Sequence, residues 1–85
     1  MKTKNAIAKL EKIFGAVDVD KNGQYSVSHR GMILSFYNNG RLEEGSEICC
    51  INVRNENNHD DIQSDYSAGS FADNLTMAIR WLMTW

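Results

Sequence analysis

Apolar residues recur at helical spacing near the N-terminus: Ala6, Ile7, Leu10, Ile13, Phe14 and Val17. At about 100° per residue they share an arc of roughly 120°, which predicts an amphipathic helix from Thr3 to about Val17. Lys4, Lys9, Glu11 and Lys12 fall outside that arc. The rhythm then changes. Asp18-Val-Asp-Lys-Asn-Gly23 is rich in residues that tolerate positive φ and reads as a turn. Tyr25–His29 alternates β-type with small polar residues, Arg30-Gly31 can reverse the chain tightly, and Met32–Tyr37 reads as a second strand closed by Asn38-Asn39-Gly40. A charged loop leads to a third strand, Ile48–Arg54, with Cys49, Ile51 and Val53 on one face. Short connections predict antiparallel pairing. Residues 55–69 are polar and without period, and are predicted as a long loop.

The last helix has a clear start. Ser70 stands at N-cap spacing to Asp73, whose charge suits the positive end of a helix, and the periodic stretch runs from about Phe71 to Thr84. Phe71, Leu75, Ala78 and Leu82 form its expected core line. Met77, Trp81 and Trp85 lie to one side of that line, and the apolar positions together cover about 240° of the wheel. Such a surplus predicts a second contact, with a twin subunit or a target, through Met77, Trp81 and Trp85. The expected fold is α+β in a single domain, 1–85. It consists of a helix, a three-stranded antiparallel sheet and a helix (αβββα), with both helices on one sheet face.

Composition narrows the picture. With 42% hydrophobic residues and no proline among 85, the chain is not of the disordered type. Its formal charge of -2 argues against direct binding of nucleic acid through phosphates. Acidity is concentrated at Glu43, Glu44, Glu47, Glu56, Asp60, Asp61 and Asp65, against the single Arg54 in that stretch. Such a surface keeps a protein solvated, and it can also dock on a basic protein surface or imitate nucleic acid. Cys49 and Cys50 are adjacent, so a bond between them would be strained, and both read as free thiols of a reducing compartment. No secretory leader and no bilayer-spanning stretch is visible, which predicts a soluble, cytoplasmic protein with no membrane partner.

Three motifs compete for a functional reading. Asp18-x-Asp20-x-Asn22-Gly23 matches the first positions of an EF-hand calcium loop, but the loop of residues 18–29 ends on His29 where a bidentate Glu is needed. A degenerate calcium-binding module is therefore an alternative, and a turn rich in Asp and Asn is the simpler reading. His59-Asp60-Asp61 is too sparse for a metal site, so no metal or other cofactor is expected. No nucleophile stands at recognisable spacing from a base, so catalysis is not expected. The order helix, three strands, helix is similar to that of double-stranded-RNA-binding domains. Ser70–Leu75, however, lacks the lysines with which those domains hold phosphate.

Asn58-His-Asp-Asp, Ser64-Asp-Tyr-Ser-Ala-Gly-Ser-Phe-Ala-Asp-Asn-Leu75 and the following Ala78-Ile79 resemble the C-terminal segment of small phage and mobile-element proteins. These include domains attached to large polyvalent phage proteins, and the style is also similar to anti-CRISPR proteins. The resemblance covers roughly residues 48–82. It implies a phage- or mobile-element-encoded inhibitor of a bacterial defence system, acting in the host cytoplasm by binding a CRISPR-Cas effector rather than by chemistry. A small self-associating accessory domain, dimeric through the last helix, is the remaining alternative.

Overall fold

The computed structural model describes residues 3–21, 23–37, 51–66 and 70–84. Two helices and five strands follow in the order α1 (Thr3–Phe14), β1 (Asp18–Val19), β2 (Gln24–His29), β3 (Met32–Tyr37), β4 (Ile51–Asn55), β5 (Asn58–Tyr66) and α2 (Phe71–Thr84). The strands form one antiparallel sheet in sequence order, β1-β2-β3-β4-β5. The expected three-stranded αβββα arrangement is thus corrected to a five-stranded meander flanked by the two helices.

The two added strands have different origins. β1 is only Asp18–Val19, and it forms because the turn after it closes on itself. Asp20 N–H donates to the Gln24 carbonyl (3.0 Å), Gln24 N–H donates to the Asp20 carboxylate (3.0 Å), and Gly23 takes a φ of 83°. β5 occupies most of the stretch predicted as a loop. Its sequence, NHDDIQSDY, has almost no buried position, because an edge strand needs a neighbour on one side only. Backbone pairing with β4 makes it a strand; its side-chain pattern does not.

Local chemistry sets the other boundaries. α1 stops at Phe14, three residues before the predicted end, since Gly15 adopts φ 93° and its N–H closes on the Glu11 carbonyl at 2.9 Å. Arg30-Gly31 joins β2 to β3 as a two-residue turn with positive φ at both positions, 50° and 82°, the mirror-image turn that suits strand twist. α2 begins as predicted, with Asp73 N–H donating to Ser70 Oγ (3.1 Å) and Asn74 N–H to the Ser70 carbonyl (3.0 Å).

Register decides which face each strand residue uses. Tyr25, Phe36, Ile51 and Tyr66 stand side by side in one row, and Val27, Leu34, Val53 and Ser64 in the next. This face is buried under the helices: one core cluster joins Val27, Leu34, Phe36, Ile51 and Val53 to Ala6 and Leu10 of α1 and to Phe71, Leu75, Ala78, Ile79 and Leu82 of α2. Phe36 stacks on Tyr25 (ring centroids 5.5 Å apart) and meets Phe71 at 5.2 Å, tying sheet to helix. Phe14 meets His29 edge-on at 5.2 Å and seats the end of α1 on β2. Asn74 is the polar exception under α2, only 4% exposed, and its Nδ2 has no partner among the described residues.

Candidate functional site

The opposite sheet face carries no helix residue in its rows and has a different chemistry. One row crosses all five strands: Asp18, Ser26, Ser35, Asn52 and Asp65. The next is Ser28, Ile33, Arg54 and Ile62. A basin of about 260 Å³ opens on this face, lined by Gln24, Ser26, Ile33, Ser35, Phe36, Asn52, Arg54 and His59. The volume suits a side chain or a small molecule.

Arg54 is the organising group of the basin. Its Nε donates to Asn52 Oδ1 at 3.0 Å and its Nη1 to the His59 carbonyl at 3.2 Å. Asn52 Oδ1 also accepts the Ser35 hydroxyl at 3.0 Å, and Ser35 is itself only 4% exposed. The buried hydroxyl thus steadies the amide, and the amide steadies the guanidinium. The acceptors are neutral oxygens, so these contacts orient the positive charge without cancelling it. Because Asn52 is an amide, it cannot act as a base toward Ser35. The trio is a hydrogen-bonding array and does not resemble a nucleophile with its activating base.

The path of β5 explains the basin. Arg54 pairs with Ile62, whereas its neighbours Val53 and Asn55 pair with Ser64 and Asn58, so the register shifts on both sides of it. Gln63 is the surplus residue on one side and residues 59–61 are the surplus on the other, and these last swing the His59 carbonyl toward Arg54. The turn that precedes them is held by Asn57 N–H on Asn55 Oδ1 (2.9 Å) and Asp60 N–H on Asn58 Oδ1 (3.2 Å). Glu56 N–H, donating to the Gly31 carbonyl at 2.8 Å, rests this tip on the β2–β3 turn.

The acidic residues expected to bind a partner fall into two groups. Glu56, Asp60, Asp61 and Asp65 all lie on the β4–β5 hairpin, at its tip and along its outer strand. Glu56, Asp60 and Asp65 are exposed; Asp61 is half-buried and accepts the Gln63 amide at 2.8 Å. Glu43, Glu44 and Glu47, like Cys49, Cys50 and Trp85, lie outside the described residues. Of the expected self-association residues, Met77 is 49% exposed, while Trp81 is half-buried against the core and has only part of its surface to offer.

The stretch matched to a calcium loop, residues 18–29, is β1, its turn and β2; the strand β2 stands where a calcium hand would continue as a helix. Asp20 spends a carboxylate oxygen on the Gln24 amide. His59, Asp60 and Asp61 do not converge into a metal-holding group among the described residues.

Sequence reasoning missed Ser26, Ser35, Asn52 and Arg54 as a constellation. The usable signal was the alternation itself: polar positions 24, 26 and 28, then 52 and 54, share one face if the strands are neighbours. No helix among the described residues is long and apolar enough to cross a membrane. Protein-family models, curated proteins and solved structures provide no match to the chain.

Proposed function

We propose that the protein works by binding, with the acidic β4–β5 hairpin as the docking element for a cationic protein surface. One observation carries this reading: the carboxylates of Glu56, Asp60, Asp61 and Asp65 sit on a hydrogen-bonded hairpin, not on a free loop. Glu56 sits at the hairpin tip and Asp60, Asp61 and Asp65 along β5, so the paired backbone holds the charges in place, with little ordering left to do on binding. Against them the hairpin holds one guanidinium, Arg54, already turned inward toward Asn52 and the His59 carbonyl. Charge of this kind accelerates encounter with a basic groove and sets orientation.

The target class comes from the resemblance of the C-terminal segment to small phage and mobile-element proteins. On that reading the chain is a defence inhibitor in the bacterial host cytoplasm. It occupies the nucleic-acid groove of a CRISPR-Cas effector without contacting nucleic acid itself, and the exposed Met77 adds an apolar contact to the target or to a second copy. The test replaces Glu56, Asp60, Asp61 and Asp65 by Lys and measures binding to candidate effectors at low and physiological salt. Wild type should bind more weakly as salt rises, and the variant should lose about tenfold or more in affinity. Undiminished binding by the variant sinks the acidic-docking mechanism.

A further inference from the structure

We infer that the open-face basin around Arg54 is a binding site for a free monocarboxylic acid with an apolar body. Among the described residues Arg54 is the only formally charged one lining it, and two of its N–H groups are held by Asn52 Oδ1 and the His59 carbonyl. Its remaining N–H groups have no partner among the described residues, and a guanidinium edge matches a planar carboxylate. Anchoring through the buried Ser35 and Asn52 fixes the edge before any ligand arrives. Ser26 and Gln24 add neutral hydrogen-bonding groups to the lining.

Two further features select the ligand. Ile33 and Ile62 are the cross-strand neighbours of Arg54 on either side. Ile33 lines the basin, and Ile62, 49% exposed, stands beside Arg54 just outside that lining, so an apolar body beside the carboxylate has an apolar wall and an apolar rim to meet. Asp18 and Asp65 close the neighbouring row at its two ends. They repel a dianion more strongly than a monoanion, which favours carboxylate over phosphate. The site is independent of the acidic-hairpin docking proposed above, since it needs no protein partner.

Titration of the full chain with sodium benzoate, followed by proton–nitrogen NMR, tests the site. Saturable shifts are expected at Arg54 Nε and at the amides of Ser26 and Asn52, with an affinity of about millimolar, as befits one charged fork and a small apolar contact. Phosphate at matched ionic strength should give no saturable change. Arg54→Gln should weaken benzoate about tenfold or more, and Arg54→Lys, which keeps the charge and loses the fork, should do nearly the same. Spectral dispersion of the core residues reports whether each variant is folded, and the Lys variant serves if the Gln variant is not. Ile62→Thr should weaken benzoate and leave acetate unchanged. Shifts that grow linearly over the whole surface, equal binding of phosphate, or unaltered binding by both Arg54 variants would overturn the inference. Tighter binding of N-acetylglutamate α-amide than of benzoate would also overturn it, because the carboxylate would then belong to a protein partner.

Discussion

The two faces of this sheet are built from the same strands and obey opposite rules. On the helix-covered face, Val27, Leu34, Phe36, Ile51 and Val53 are at most 2% exposed and share one core cluster with apolar side chains of both helices. On the open face, the same strands offer Ser26, Ser28, Ser35, Asn52 and Arg54. Stability on the first face comes from removing apolar area from water, which is non-directional and tolerant of chemistry. Order on the second depends on directed bonds, with a hydroxyl, an amide and a guanidinium each placing the next. The covered face therefore carries most of the apolar burial, and the other face carries the hydrogen-bonded array. A period of two lets one strand do both without compromise.

The largest expected effect lies on the covered face. Phe36→Ala removes a ring that is 1% exposed and bridges Tyr25 and Phe71, and should cost about 3–5 kcal/mol in urea unfolding monitored by circular dichroism. A loss no greater than that of an open-face substitution would break the comparison. Asn52→Ala should come next, at about 1–3 kcal/mol, because it leaves the buried Ser35 hydroxyl without its acceptor. The same variant should release Arg54, seen as line broadening or exchange of its Nε signal. A rigid Arg54 in that variant would show that Asn52 does not position it.

Ser70→Ala tests how the covering helix is held. Loss of the bond to Asp73 N–H should cost about 1 kcal/mol, measured by thermal unfolding. Smallest of all, Ser28→Ala, at an exposed open-face position, should change stability by less than about 0.5 kcal/mol. A larger loss there would mean that the open face holds the fold at positions outside the Ser35–Asn52–Arg54 array as well.

α2 was legible from end to end, because its cap and its core line are local features: Ser70 with Asp73, then Phe71, Leu75, Ala78 and Leu82 at helical spacing. The reversal at Arg30-Gly31 was legible for the same reason. The end of α1 was misplaced only because Val17 continues the apolar rhythm; it still packs on the core from beyond the helix, while Gly15 has already turned the chain. Ile13, inside the apolar arc, is nonetheless 40% exposed. β5 left no comparable trace. Its side chains are nearly all polar, and what makes it a strand is a ladder of backbone bonds to β4.

The amino-acid order by itself determined the two helices, the turns at Asp20–Gly23 and Arg30-Gly31, and the concentration of acid in the β4–β5 segment. Each depends on residues within about one turn or one strand of each other, where capping, φ preference and periodicity act. Only the tertiary structure decided that residues 58–66 are a strand, that their acids stand on a hairpin, and that Ser35, Asn52 and Arg54 form one array. Those features depend on register between strands, which is set by burying the other face; the alternation of polar positions marks a shared face within each strand and leaves the pairing open.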